Sequence, residues 1–135
     1  MVTLTLHTLG DLPLAQRSAD QLIADHNIDA DAAYAVTLAI EELGSNVIRH
    51  GFDDRDVHDI SLRISVIPGA VELVIEDDGR PFDPSQPRQL NTPDTLEHAP
   101  TGGMGLSLVN EIAGPIDYQR VNGRNRTTLR IKTRT

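Results

Sequence analysis

The sequence predicts an α+β layered domain with an antiparallel-rich sheet. Three observations carry that prediction. Apolar patterning alternates in the order β-α-α-β-β-loop-α-β-β. A Pro-Gly pair separates two β-like runs, which is a hairpin signal. One long segment holds its apolar residues at helical spacing. With 135 residues and 39% hydrophobic content, residues 1–135 suffice for one domain with a real core, and no repeat or linker divides them.

"VTLTLH" (2–7) alternates apolar and polar residues, as a half-buried strand does. The segment after Gly10-Asp11 places Leu14, Ala15, Ala19, Leu22 and Ile23 at helical intervals. Residues 29–51 form the strongest helix, with Asp29 or Asp31 as its cap and Gly51 as its stop. Its stripe is Ala32, Ala33, Val36, Ala39, Ile40, Leu43 and Val47. "HDISLRISVI" (58–67) and "AVELVIED" (70–77) flank Pro68-Gly69 as paired strands. Residues 83–101 hold four of the eight prolines and no periodic pattern, which predicts a long loop. "GGMGLSLVNEIAG" (102–114) is a glycine-led helix, and "IDYQRVNG" with "NRTTLRIKTR" closes the fold as a hairpin.

Composition narrows the function. The chain has two Phe, two Tyr and no Trp, so its core must rest on Val, Leu, Ile and Ala. It has no cysteine, which removes disulfides and thiolate metal sites and fits a reducing compartment. No signal peptide or membrane span is visible, so a cytoplasmic protein without membrane association is expected. A net charge of -8 disfavours direct nucleic-acid binding. A polyanion remains an acceptable ligand where a metal ion and local groups neutralise it.

Three polar stretches stand out against this background. In "EELGSNVIRHGF" (41–52), Glu42, Asn46 and His50 fall at i, i+4 and i+8, on one helix face bordering Leu43 and Val47. An amide oxygen such as that of Asn46 is a hard ligand suited to Mg²⁺. A carboxylate one turn earlier can accept a proton or orient a hydroxyl. A solvated helix end would use the same residue types. In "VIEDDGRPFDP" (74–84), an acid at a strand end before Gly79 can take a hydrogen bond from an exocyclic amine; the same letters also spell an ordinary Asp-Gly turn. In "TGGMGLSLVNEIA" (101–113), glycines let backbone N–H groups approach phosphates at a helix N-terminus, and Ser107 and Asn110 add polar groups. The stretch matches neither a Walker motif nor a Rossmann fingerprint, and a glycine turn before a packing helix reads similarly.

Taken together and in this order, "EELGSNVIRHGF", "EDDGRPFDP" and "GGMGLSLV" resemble the GHKL-type ATP-binding domain over roughly residues 1–133. The Asn-to-His-Gly ending resembles most the anti-sigma-factor serine/threonine kinase group (RsbW-like). The resemblance implies a Bergerat-type two-layer α/β sandwich, with a mostly antiparallel sheet covered on one face by helices. It implies ATP and Mg²⁺ as cofactors. Glu42 matches the general base or hydroxyl-orienting acid, and Asn46 the Mg²⁺ ligand; His50 is a supporting residue. Asp77 matches the adenine-reading acid, with Gly79, Pro81 and Phe82 beside the nucleotide; Pro81 departs from the second glycine of the family pattern. Gly102, Gly103, Met104, Gly105 and Leu106 match the phosphate cradle and the start of its helix. Residues 83–101 match an ATP lid. Thr127 or Thr128 matches a late-strand threonine near the nucleotide, and Thr128 is the one taken as the contact.

The function so implied is an anti-sigma-factor serine/threonine protein kinase. Such a protein binds Mg·ATP, phosphorylates a Ser or Thr of a STAS-type anti-anti-sigma antagonist and sequesters a sigma factor. A homodimer is expected from the resemblance alone. The alternative is a nucleotide-dependent partner-binding module without kinase activity. A histidine kinase half ranks last, because the sequence opens directly on the first strand, with no room for a dimerisation helix.

Overall fold

The computed structural model describes residues 1–50, 58–81, 83–84 and 102–134, without the side chains of His50 and of residues 102–104. Among them, strand β1 is Val2–Leu6, helix α1 is Leu12–Asp25 and helix α2 is Ala30–His50. Strands β2 (Ile60–Ile67) and β3 (Ala70–Asp77) follow. Helix α3 is Gly102–Ile112, and strands β4 (Asp117–Val121) and β5 (Arg124–Lys132) close the fold.

The five strands form one sheet in the order β1-β2-β3-β5-β4, and every neighbouring pair is antiparallel. Both hairpins turn where local chemistry directs. Gly69 has φ +79, which suits the second central position of a turn led by Pro68. Asn122 and Gly123 both have positive φ, 52 and 76, as a tight hairpin turn requires.

Period-2 alternation gives the sheet one apolar face. Val71, Leu73 and Ile75 of β3 are buried, in line with Ile60, Leu62 and Ile64 of β2 and with Leu129 and Ile131 of β5. The other face is more polar, although Val74 and Ala70 are buried on it. There Glu72 pairs with Arg130 at 2.8 Å and Glu76 with Arg126 at 3.6 Å. The helices cover the apolar face with Ala15 and Ala19 of α1, Ala35, Val36, Ala39, Ile40 and Leu43 of α2, and Leu106 and Val109 of α3. Among the described residues this core contains no aromatic side chain, as the composition required.

Asp29 is the cap of α2: its Oδ2 accepts the N–H of Ala32 at 3.1 Å, while its Oδ1 accepts the N–H of Arg134 at 2.9 Å. The expected stop at Gly51 lies outside the described residues. Gly44 sits in mid-helix, where glycine costs about 1 kcal/mol relative to alanine. The reason is packing. A Cβ there would lie 2.8 Å from Leu12 Cδ2, so the gap admits the start of α1 only against a bare backbone.

Candidate functional site

The register of three strands builds the floor of a site. Asp77 of β3 faces Asn125 of β5, which faces Arg120 of β4. One step further in, Ile75 faces Thr127, which faces Tyr118. All six fall on the helix-covered side. Over them lies the C-terminal half of α2, and the resulting pocket is lined by Leu43, Asn46, Val47, Ile75, Asp77, Pro84, Asn125 and Thr127.

Asp77 is 3% exposed, whereas its neighbour Asp78 is exposed and lies 3.3 Å from His58. Burying a carboxylate is costly unless donors meet it. Two do so, both at Oδ1: the Gly79 N–H at 2.8 Å and the Asn125 amide Nδ2 at 3.0 Å. The first closes an Asx-type turn, which is what the Asp-x-Gly spacing allows. The pocket therefore has an acceptor at its base, a hydroxyl beside it on Thr127, and apolar walls from Leu43, Val47 and Ile75. A flat heterocycle with an amino edge fits that donor-acceptor arrangement.

Asn46 is 7% exposed and reaches the same pocket from α2. One turn earlier, Glu42 is half-buried and meets α3 rather than the pocket lining. The contact is close: a Cβ on Gly105 would lie 1.9 Å from Glu42 Oε2 and 2.2 Å from its Cδ. The absence of a side chain at residue 105 is what lets the first turns of α3 approach the carboxylate. Burial raises the Glu42 pKa above its ordinary value, the Glu41 carboxylate adds to the rise, and Arg49 partly opposes it.

The remaining sequence-derived residues divide as follows. Gly79 is buried at the Asp77 turn, while Pro81 is exposed. Gly102, Gly103 and Met104 open α3. Leu106 is 1% exposed and belongs to the core. His50 ends α2, its side chain outside the described residues; Phe82 and the expected lid, apart from Asp83 and Pro84, also lie outside them. The two candidate late-strand threonines lie on opposite faces of the sheet. Thr127 is buried and lines the pocket, whereas Thr128 pairs with Val74 on the opposite face of the sheet. A strand's side chains alternate, so the apolar phase set by Leu129 and Ile131 selects 127.

Sequence reasoning missed Asn125, Tyr118 and Arg120. The Asn125 Oδ1 accepts from the Tyr118 hydroxyl and from Arg120 Nη1 at 3.0 Å, and Arg120 Nη1 also donates to the Gly79 carbonyl at 2.7 Å. A signal was present: Asn125 is a poor strand former in phase with the buried Thr127, Leu129 and Ile131.

For a metal, no cluster of three or more His, Cys, Asp or Glu side chains exists among the described residues. Asn46 offers one neutral oxygen. That is compatible with Mg²⁺, which commonly keeps waters and substrate phosphates as its other ligands.

The histidine kinase-like ATPase domain model matches residues 6–131. The chain belongs to this family. Its ligand class is accordingly ATP. The serine/threonine-protein kinase BtrW of Bordetella bronchiseptica is 31% identical over 96 residues, covering 71% of this chain and 68% of that protein. The serine-protein kinase RsbW of Bacillus velezensis is 28% identical over 90 residues. That match covers 64% of this chain but only 56% of RsbW. The solved RsbU and RsbW domains of Rv1364c from Mycobacterium tuberculosis share the fold, with a TM-score of 0.63 at 15% identity, over 98% of this chain and 33% of that one. The ATPase-domain membership and the antiparallel sheet under one helical layer thus agree with the resemblance drawn from the three motifs. No helix among the described residues is long and apolar enough to cross a membrane.

Proposed function

We propose that the protein is a serine/threonine protein kinase of the anti-sigma type. In this reading it phosphorylates a hydroxyl on a STAS-type antagonist and sequesters a sigma factor, as a cytoplasmic homodimer. The observation that carries the kinase reading is the contact between Glu42 and Gly105, which holds a proton-accepting group against the glycine-led helix, one helical turn from Asn46 and the Asp77 pocket.

The division of labour follows from the residues. Asp77 accepts the adenine amine, and Thr127 adds a hydroxyl at the same depth. Leu43, Val47 and Ile75 cover the base and exclude water. Asn46 contributes an amide oxygen to Mg²⁺. The backbone amides of residues 102–105, at the positive end of α3, hold phosphate oxygens. Bound Mg·ATP supplies the phosphoryl group and neutralises much of its charge. Glu42 orients the protein substrate's hydroxyl and takes its proton. Its raised pKa makes it a better base than an ordinary surface glutamate. His50 is taken as a supporting rather than a catalytic residue. The kinase names of BtrW and RsbW support the reaction class.

The test is transfer of label from Mg·[γ-³²P]ATP to a STAS-type antagonist bearing a target serine, with wild type and Glu42→Ala. Labelled antagonist that disappears in the variant supports the kinase. Binding of ATP without transfer to any antagonist returns the protein to the class of nucleotide-dependent binding modules.

A further inference from the structure

Asn125 makes a set of bonds that its own side chain completes. An amide has two donor hydrogens and an acceptor oxygen with two lone pairs. Here all are in use. Nδ2 donates to Asp77 Oδ1 at 3.0 Å and to the Arg80 carbonyl at 2.8 Å. Oδ1 accepts from the Tyr118 hydroxyl and from Arg120 Nη1. The orientation is fixed, because a flipped amide would set oxygen against the Asp77 carboxylate and the Arg80 carbonyl, and nitrogen against the guanidinium. Asn125 is 4% exposed, so none of these partners is readily replaced by water.

The consequence falls on Asp77. Both of its described bonds go to Oδ1, from Gly79 and Asn125. Neither engages Oδ2. The carboxylate is therefore anchored through one oxygen, and the other is left for a ligand in the pocket that Asp77 lines. Arg120 and Asn125 also tie down the Gly79 and Arg80 carbonyls, so the turn behind the carboxylate is held to the sheet. An acceptor held this way favours a base edge that presents an amine and opposes one that presents a carbonyl.

We infer that Asn125 is the positioning residue that sets base selectivity, holding Asp77 so that the pocket discriminates a 6-amino purine from one lacking the amine. This rests on the nucleotide-binding reading above. Its mark is loss of discrimination without loss of the phosphate contribution to binding.

The experiment measures dissociation constants by calorimetry with Mg²⁺ for ATP, GTP and purine riboside 5′-triphosphate, which lacks the amine. Wild type is expected to bind the amine-free analogue about ten- to a hundredfold more weakly than ATP, the effect of one lost buried hydrogen bond. In Asn125→Ala the two affinities should come within about threefold, with the analogue itself bound within about threefold as well as by wild type. Arg120→Met, a change at an exposed edge-strand residue, should narrow the ratio in the same direction and carries the test if Asn125→Ala does not fold. Undiminished discrimination in the folded variants overturns the inference while leaving nucleotide binding intact. So does a parallel loss of ATP and analogue binding, which would mark a merely structural role. Failure of wild type to bind any of the three overturns the nucleotide reading itself.

Discussion

Gly105→Ala separates stability from catalysis at a single methyl group. The added Cβ would stand 1.9 Å from Glu42 Oε2, 2.2 Å from Cδ and 2.8 Å from Oε1. Ordinary contact begins near 3.4 Å, so the carboxylate must retreat by about 1.5 Å. Those atoms are the far end of a flexible side chain, and a rotamer change can clear them without moving the helices. Overpacking typically costs about 1–3 kcal/mol, and replacing helical glycine by alanine returns about 1 kcal/mol. Net stability should therefore fall by no more than about 2 kcal/mol. Catalysis has no such cushion. Misplacing a reacting group by about 1 Å can cost roughly a hundredfold, and loss of a general base about 10²–10⁴-fold. The expected result is a folded protein with a melting temperature within several degrees of wild type and phosphate transfer reduced at least a hundredfold. Thermal unfolding and single-turnover transfer, with ATP affinity measured alongside, decide it. Wild-type transfer by the variant would refute the assignment of Glu42 as the base.

Other expectations follow from individual groups. Glu42→Gln should abolish most transfer yet raise the melting temperature at neutral pH. The folded-state pKa of Glu42 lies above its unfolded value of about 4.5, so the folded state binds the extra proton. Stability falls as pH rises through that window. The gain from Glu42→Gln should accordingly shrink as pH approaches 4.5, and a pH-independent gap in melting temperature would contradict the burial effect. Asn46→Ala should weaken ATP binding in Mg²⁺ while changing it little in EDTA; calorimetry in both buffers checks this. Asp29→Ala removes the α2 cap and the Arg134 contact and should lower the denaturant midpoint, with no change in ATP affinity.

The sheet was legible because alternation is a local signal, and the hairpins because Pro68-Gly69 and Asn122-Gly123 sit between alternating runs. The choice of Asp77 over Asp78 was also within reach, since Asp77 continues the inward phase of Val71, Leu73 and Ile75. The same phase separates Thr127, which lines the pocket, from Thr128, which the resemblance alone did not do: a one-residue slip sends a side chain through the sheet. What sequence could not supply was adjacency between distant segments. Asn125 and Asp77 are 48 positions apart, and only the β3–β5 pairing makes them neighbours. The close fit of Gly105 on Glu42 is likewise a product of helix packing, and "GGMG" alone does not reveal which glycine is sterically required.

Helix α2 also sets the polarity of the whole molecule. Arg134 is fastened to Asp29 and Asp31 at the first turn, while Asn46 lies fifteen residues beyond Asp31, about 22 Å along the axis at the usual rise per residue. A fluorophore or surface tether attached at residue 134 would thus leave from the pole remote from the Asp77 pocket. Immobilisation through that pole should leave the pocket open to solution, which makes it the better handle for measuring partner exchange.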